Sequence, residues 1–202
     1  MRLGILGGTF DPIHFGHLLA AEEVRMALRL DQVLFAPAGD PPHKQNNSIL
    51  SVAHRLAMVR LAIADNPAFV ISTVDVDRPG PHYTVDMVQL LREQWGTGAD
   101  NTSFIMGADS LVQLLTWSQP DRLIELCRLA VVARPGYRAD LAELEATLPS
   151  VGHRLDWVEM PVLGISSSDL QRRVREGRSI RYQVPAAVAG YVAKHGLYHD
   201  DA

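Results

Sequence analysis

The stretch GGTFDPIHFGH, residues 7–17, decides the reading of this chain. It follows the apolar run RLGIL (2–6), which reads as a buried strand. It leads into a segment where Leu18, Ala21, Val24 and Leu28 recur at helical spacing, so a helix is expected over 17–29. A strand, two glycines and a helix in that order suit a phosphate. Gly7 and Gly8 let the backbone turn tightly and approach a ligand with no Cβ in the way. The helix start adds unpaired N–H groups and the positive end of its dipole. His14 and His17 stand at that start with Gly16 between them, where imidazoles can donate hydrogen bonds to phosphate oxygens. Capping or core packing is the competing role for such a pair. Zinc is disfavoured, because no third His, Cys or carboxylate follows at ligand spacing on the same element. The glycines fit neither GxGxxG nor a P-loop, which requires a Lys-Ser/Thr pair.

Outward from this stretch, short apolar runs alternate with helical periodicity. Strands are expected at 32–37, 69–76, 102–106, 128–133 and 154–160. Helices are expected from Ser51 through Ala64, from Thr84 as N-cap to Glu93, and from about Ser168 and Pro185. This order implies a Rossmann-like α/β fold: a mostly parallel sheet, helices on both faces and a small C-terminal helical part. Ligands of such sheets gather beyond the carboxyl ends of the strands, at the switch in strand order. The loops 7–16, 38–48, 107–110 and 164–168 all follow expected strands and should converge there.

The 202 residues, 47% hydrophobic and 21% charged, suit one well-buried core. A net charge of −4 argues against nucleic acid as a bulk partner but leaves room for a small anion held by local donors. The single cysteine, Cys127, cannot form an internal disulfide and sits in an apolar run, so a buried inert thiol is expected. No window is apolar enough to span a membrane, and the N-terminus lacks the pattern of a signal peptide. A cytoplasmic protein is expected.

Segment 7–17 is similar to the signature of the nucleotidylyltransferase superfamily, which shares its HxGH element with class I aminoacyl-tRNA synthetases. PPHK (41–44), RPGPHYTVDMV (78–88), GADSLVQLLTW (107–117), ARPG (133–136) and ISSSDLQRRV (165–174) extend the likeness over nearly the whole chain. In order and spacing they resemble bacterial nicotinate-mononucleotide adenylyltransferases. The resemblance implies one nucleotidylyltransferase domain over 1–202. It implies transfer of AMP from ATP to nicotinic acid mononucleotide, giving the deamido dinucleotide of NAD biosynthesis and pyrophosphate. It also implies Mg²⁺ on the triphosphate, no nucleic-acid or membrane partner, and leaves homo-oligomers open.

The nucleophile in that reaction is a phosphate monoester, already anionic, so positioning and charge stabilisation replace a general base. The resemblance implies that His14, His17 and Lys44 are the catalytic contacts to phosphate. Gly7, Gly8, Thr9 and Phe10 would approach ATP, Gly107 and Asp109 would meet its ribose side, and Ser166, Ser167 and Ser168 would cradle the triphosphate. Trp117 would stack on the pyridine ring, Tyr83 and Thr84 would offer backbone N–H groups to its carboxylate, and Arg134 would lie nearby. Five alternatives accompany these roles: Asp11 as a loop brace, Asp109 as a helix cap, Lys44 as a solvated charge, Trp117 as a core residue and Arg134 in a structural ion pair. Two positions depart from the family. His82 stands where Ser is common, and Gln171 replaces an arginine. Ser168 and Gln171 read as a capping box, leaving Arg172 to supply the missing cation. The rival readings are a transferase for nicotinamide mononucleotide or another phosphate ester, and a non-catalytic nucleotide sensor on the same fold.

Overall fold

Successive residues of a strand point to opposite faces, so a strand buried on both sides must be apolar throughout. Arg128–Ala133 has that composition. Leu129, Val131 and Ala133 enter one apolar cluster, while Ala130 and Val132 enter the other. Leu3 and Ile5 likewise face one side of the first strand and Leu6 the other. A computed structural model describes residues 1–39, 49–137 and 140–199.

Six strands form one all-parallel sheet: β1 (Leu3–Gly8), β2 (Gln32–Pro37), β3 (Phe69–Ile71), β4 (Thr102–Gly107), β5 (Arg128–Ala133) and β6 (Leu155–Glu159). Their spatial order is β3-β2-β1-β4-β5-β6, so the order reverses between β1 and β4. Residues of α1 (Phe15–Ala27), α2 (Val52–Ile63), α8 (Ser167–Arg175) and α9 (Ala186–Lys194) share one core cluster. Those of α4 (Thr84–Trp95), α5 (Ala108–Val112), α6 (Pro120–Leu126) and α7 (Ala142–Thr147) share the other. Cys127 is wholly buried in the second cluster, and burial pushes its thiol up to about 12.

Three expectations about elements change. The strand expected over 69–76 stops at Ile71, and Val74–Asp77 forms a helical turn, α3. Side chains divert the backbone there: Ser72 Oγ accepts from the Val74 N–H at 3.3 Å, and Thr73 Oγ donates to Asp77 at 2.6 Å. The N-cap of α4 is Tyr83, with Thr84 as its first helical residue. The first helix begins at Phe15 rather than residue 17, because His14 is its N-cap.

Candidate active site

The ends of β1 and β4 meet at the reversal in strand order, where the segment after Gly8 folds into a compact loop. Phe10 adopts a left-handed backbone (φ 51°), which turns its ring back over the chain. A Cβ on Gly8 would lie 3.2 Å from that ring, so glycine there makes room for the fold-back. The Phe10 ring is buried against Phe35 and meets His17 edge-on at 5.1 Å. Phe10 is therefore a packing residue of the loop. A ligand contact from it would come through backbone.

His14 caps α1 and stacks on His17, with ring centroids 3.7 Å apart. His17 Nδ1 accepts from the His14 backbone N–H at 3.2 Å, which leaves Nε2 as the protonated donor of a neutral His17 ring. His14 is only 6% exposed; burial lowers its pKa to about 4, and Nδ1 has no hydrogen-bond partner. It is a neutral imidazole near pH 7. Gly16 has a steric reason: a Cβ would lie 3.0 Å from His14 Cε1 and Nδ1. The picture of a helix start with free amides changes here. The His14 N–H is taken by His17, and the Phe15 N–H donates to the Gln183 carbonyl at 3.1 Å.

A second helix start completes this side. Ile165 O would lie 3.9 Å from a Gly16 Cβ, and Ser167 Oγ donates to Pro12 O at 2.9 Å, so α8 abuts the loop. Its N-cap is Ser166, whose Oγ accepts from the Asp169 N–H at 3.2 Å. The capping box expected between Ser168 and Gln171 is absent. Gln171 instead donates from Nε2 to Asp11 O (2.6 Å) and Asp11 Oδ2 (3.2 Å). Asp11, 2% exposed, also accepts from Tyr198 OH at 2.7 Å and the Leu50 N–H at 3.3 Å. It braces the loop, but through long-range bonds rather than local ones. Arg172 is exposed and paired with Asp169 on the first turn of α8.

On the other side of the β1 end lies a cleft of about 500 Å³. Gly7, Gly8 and Thr9 line it, together with His82, Tyr83, Thr84 and Trp117. Trp117 is half-buried and edge-on to Phe104, with centroids 5.9 Å apart, so one ring face is not used by that contact. Gly107, Asp109 and Arg134 line a smaller hollow at the ends of β4 and β5. Asp109 is exposed in the first turn of α5, whose N-cap is Gly107; Asp109 is not the cap. Lys44 lies outside the described residues. Among those described, no group of three or more His, Cys, Asp or Glu side chains could hold a metal ion.

Two residues that build the site escaped the sequence reading. Arg55, 2% exposed, donates to the carbonyls of Thr9, Ala38, Gly39 and Leu50 at 2.8–3.1 Å, tying the loop after β1 to that after β2. Its place among Leu56, Met58, Val59 and Ala62 in an apolar helix was the available signal. Tyr198 lies beyond the last helix, where no periodicity marks it.

A nucleotide-binding rim of this kind, with an HxGH turn at the switch point, defines a nucleotidyl-transferring α/β class. The chain belongs to the cytidylyltransferase-like family, whose model matches residues 5–173. A protein of Thermomicrobium roseum named probable nicotinate-nucleotide adenylyltransferase is 53% identical over 98% of this chain and 91% of its own. One of the same name from Roseiflexus sp. is 53% identical over 97% of each chain. Within the wider family, then, the chain belongs to the nicotinate-nucleotide adenylyltransferases. Among solved structures, nicotinic acid mononucleotide adenylyltransferase of Plasmodium falciparum, complexed with NaAD, shares the fold with a TM-score of 0.76. It is 17% identical and the match covers 97% of this chain and 96% of that one.

Proposed function

We propose that the protein transfers the AMP part of ATP to nicotinic acid mononucleotide, forming nicotinic acid adenine dinucleotide and releasing pyrophosphate. A 5′-phosphate oxygen of the acceptor forms the new bond to the α-phosphorus of ATP, and the bond from that phosphorus to the bridging oxygen breaks. The observation that carries this reading is the division of the rim. His14, His17 and the α8 start lie to one side of the β1 end, and the Trp117 cleft lies to the other. One strand end thereby offers a phosphate site and a ring site side by side.

Acceptor phosphate is anionic near neutral pH, so no side chain need remove a proton. The residues orient the reactants and stabilise charge on the α-phosphate and the leaving pyrophosphate. His17 donates from Nε2. Ser166, Ser167 and Ser168 offer hydroxyls and first-turn amides that a helix cannot bond internally. Arg172 and Lys44 supply cations for the triphosphate, Arg172 by exchanging Asp169 for phosphate. Gly107 and Asp109 meet the ribose side, with Arg134 nearby. In the cleft, Trp117 stacks on the pyridine ring, and Tyr83 with Thr84 presents the α4 start to its carboxylate.

The imidazoles and N–H groups at the phosphate side can donate to phosphate oxygens, whereas Mg²⁺ takes oxygen ligands, which these groups do not offer. Mg²⁺ would therefore be held mainly by the triphosphate, where it would neutralise oxygen charge. Pyrophosphate release measured with nicotinate and nicotinamide mononucleotides tests the proposal. Release with the nicotinate acceptor is expected, and binding of ATP without release over either acceptor would overturn it.

A further inference from the structure

His82 is the one lining residue of the acceptor cleft named here that carries an unsatisfied buried nitrogen. Its side chain is 9% exposed, and Nδ1 is buried without a hydrogen-bond partner. That arrangement is costly for an imidazole, yet the surroundings hold the ring firmly. A Cβ on Gly39 would lie 2.5 Å from His82 Cε1, so the ring rests directly on that glycine. Arg78 fixes the turn that presents it, donating to Pro81 O at 2.8 Å and Tyr83 O at 3.0 Å.

The same arginine engages one oxygen of buried Asp75, donating to Oδ1 at 2.6 and 2.9 Å. Asp75 Oδ2 accepts from the Gly39 N–H at 3.2 Å and lies 3.7 Å from His82 Nδ1. Asp86, 4.0 Å from Arg78, adds a second negative charge, so the positive charge of Arg78 is offset on two sides.

We propose that His82, backed by Asp75, is the selectivity residue of the acceptor cleft. With a carboxylate-bearing ring bound, the imidazolium donates from Nδ1 to Asp75 and from Nε2 toward the ring carboxylate. A carboxamide at the same place offers no charge to pair. The site thus prefers nicotinate over nicotinamide mononucleotide through a side chain as well as through the α4 backbone. This inference rests on the adenylyl transfer proposed above.

The test measures kcat and KM for both acceptors in the wild type, His82→Gln and His82→Ser, alongside thermal melts. Gln keeps the volume and a donor but cannot take a charge, and Ser removes the ring. Both variants should raise the KM for nicotinic acid mononucleotide by about tenfold or more. The ratio of kcat/KM values for the two acceptors should fall correspondingly, while the KM for ATP does not follow. In the wild type, the His82 ring C–H resonances should move to imidazolium positions on adding the nicotinate but not the nicotinamide mononucleotide. A wild type inactive with both acceptors overturns the functional reading and this inference together. An active wild type whose Gln variant keeps the ratio, or whose His82 signals ignore the acceptor, overturns this inference alone.

Discussion

The two histidines of the HxGH turn do different work although they stack on one another. In the proposed reaction His17 would offer Nε2 to developing charge, while His14 is buried, neutral and close to Gly16. His17→Ala should lower kcat by about 10²–10³ with much less effect on ATP binding; a near-normal kcat would contradict the role. His14 has a distinct signature in stability. Its pKa falls from 6.5 unfolded to about 4 folded, so the folded state binds fewer protons between those values. Its contribution is whole above the unfolded value and is lost as pH falls from 6.5 to about 4, up to roughly 3 kcal/mol in all. Chemical denaturation from pH 7 to 4 should show this loss, and His14→Gln should flatten that part of the curve. Gly16→Ala should fold yet lose most of its kcat, because the new Cβ displaces the His14 ring. The histidine pair and Gly16 were legible in the sequence as a motif. Their division of labour was not, since it depends on burial and on one backbone N–H.

At the scale of elements, α8 carries the largest departure from expectation. Its sequence pattern, S-x-x-Q, reads as a local cap. The helix instead starts two residues earlier, at N-cap Ser166, and sends Gln171 across to Asp11. Local pattern lost to a tertiary bond: an amide on the inner face of α8 found a buried carboxylate and carbonyl 160 positions away in sequence. The strand over 69–76 failed for a related reason, because Asp75 is drawn to Gly39 and Arg78 and ends the strand at Ile71. By contrast, β2 and β5 match their expected bounds, since buried parallel strands declare themselves as unbroken apolar runs. Arg172 and Arg175 give a test of α8. Arg172→Ala should raise the KM for ATP severalfold, and Arg175→Ala should do little. Equal effects in steady-state assays would show that α8 contributes amides and serines alone.

Across the whole molecule, the rim is assembled from distant parts of the chain by buried polar bridges. Arg55 joins the loops after β1 and β2, and Tyr198 joins the C-terminal segment to Asp11. Removing Arg55 leaves four half-buried carbonyl partners short of a donor, so Arg55→Met should cost about 3 kcal/mol or more by denaturation. Lys should rescue little of this, because one ammonium cannot reproduce the fork of a guanidinium. Element order foretold the parallel sheet and the convergence of loops at its carboxyl edge. The bridges were not legible, because each joins residues that no periodicity relates. The central claim is that this rim joins an adenylyl group to a nicotinate nucleotide. Mass detection of the product from ATP and nicotinic acid mononucleotide tests it most directly. The account predicts nicotinic acid adenine dinucleotide in step with pyrophosphate, and its loss in His17→Ala. Hydrolysis of ATP to AMP with no dinucleotide, or a dinucleotide formed only from the nicotinamide acceptor, would contradict it.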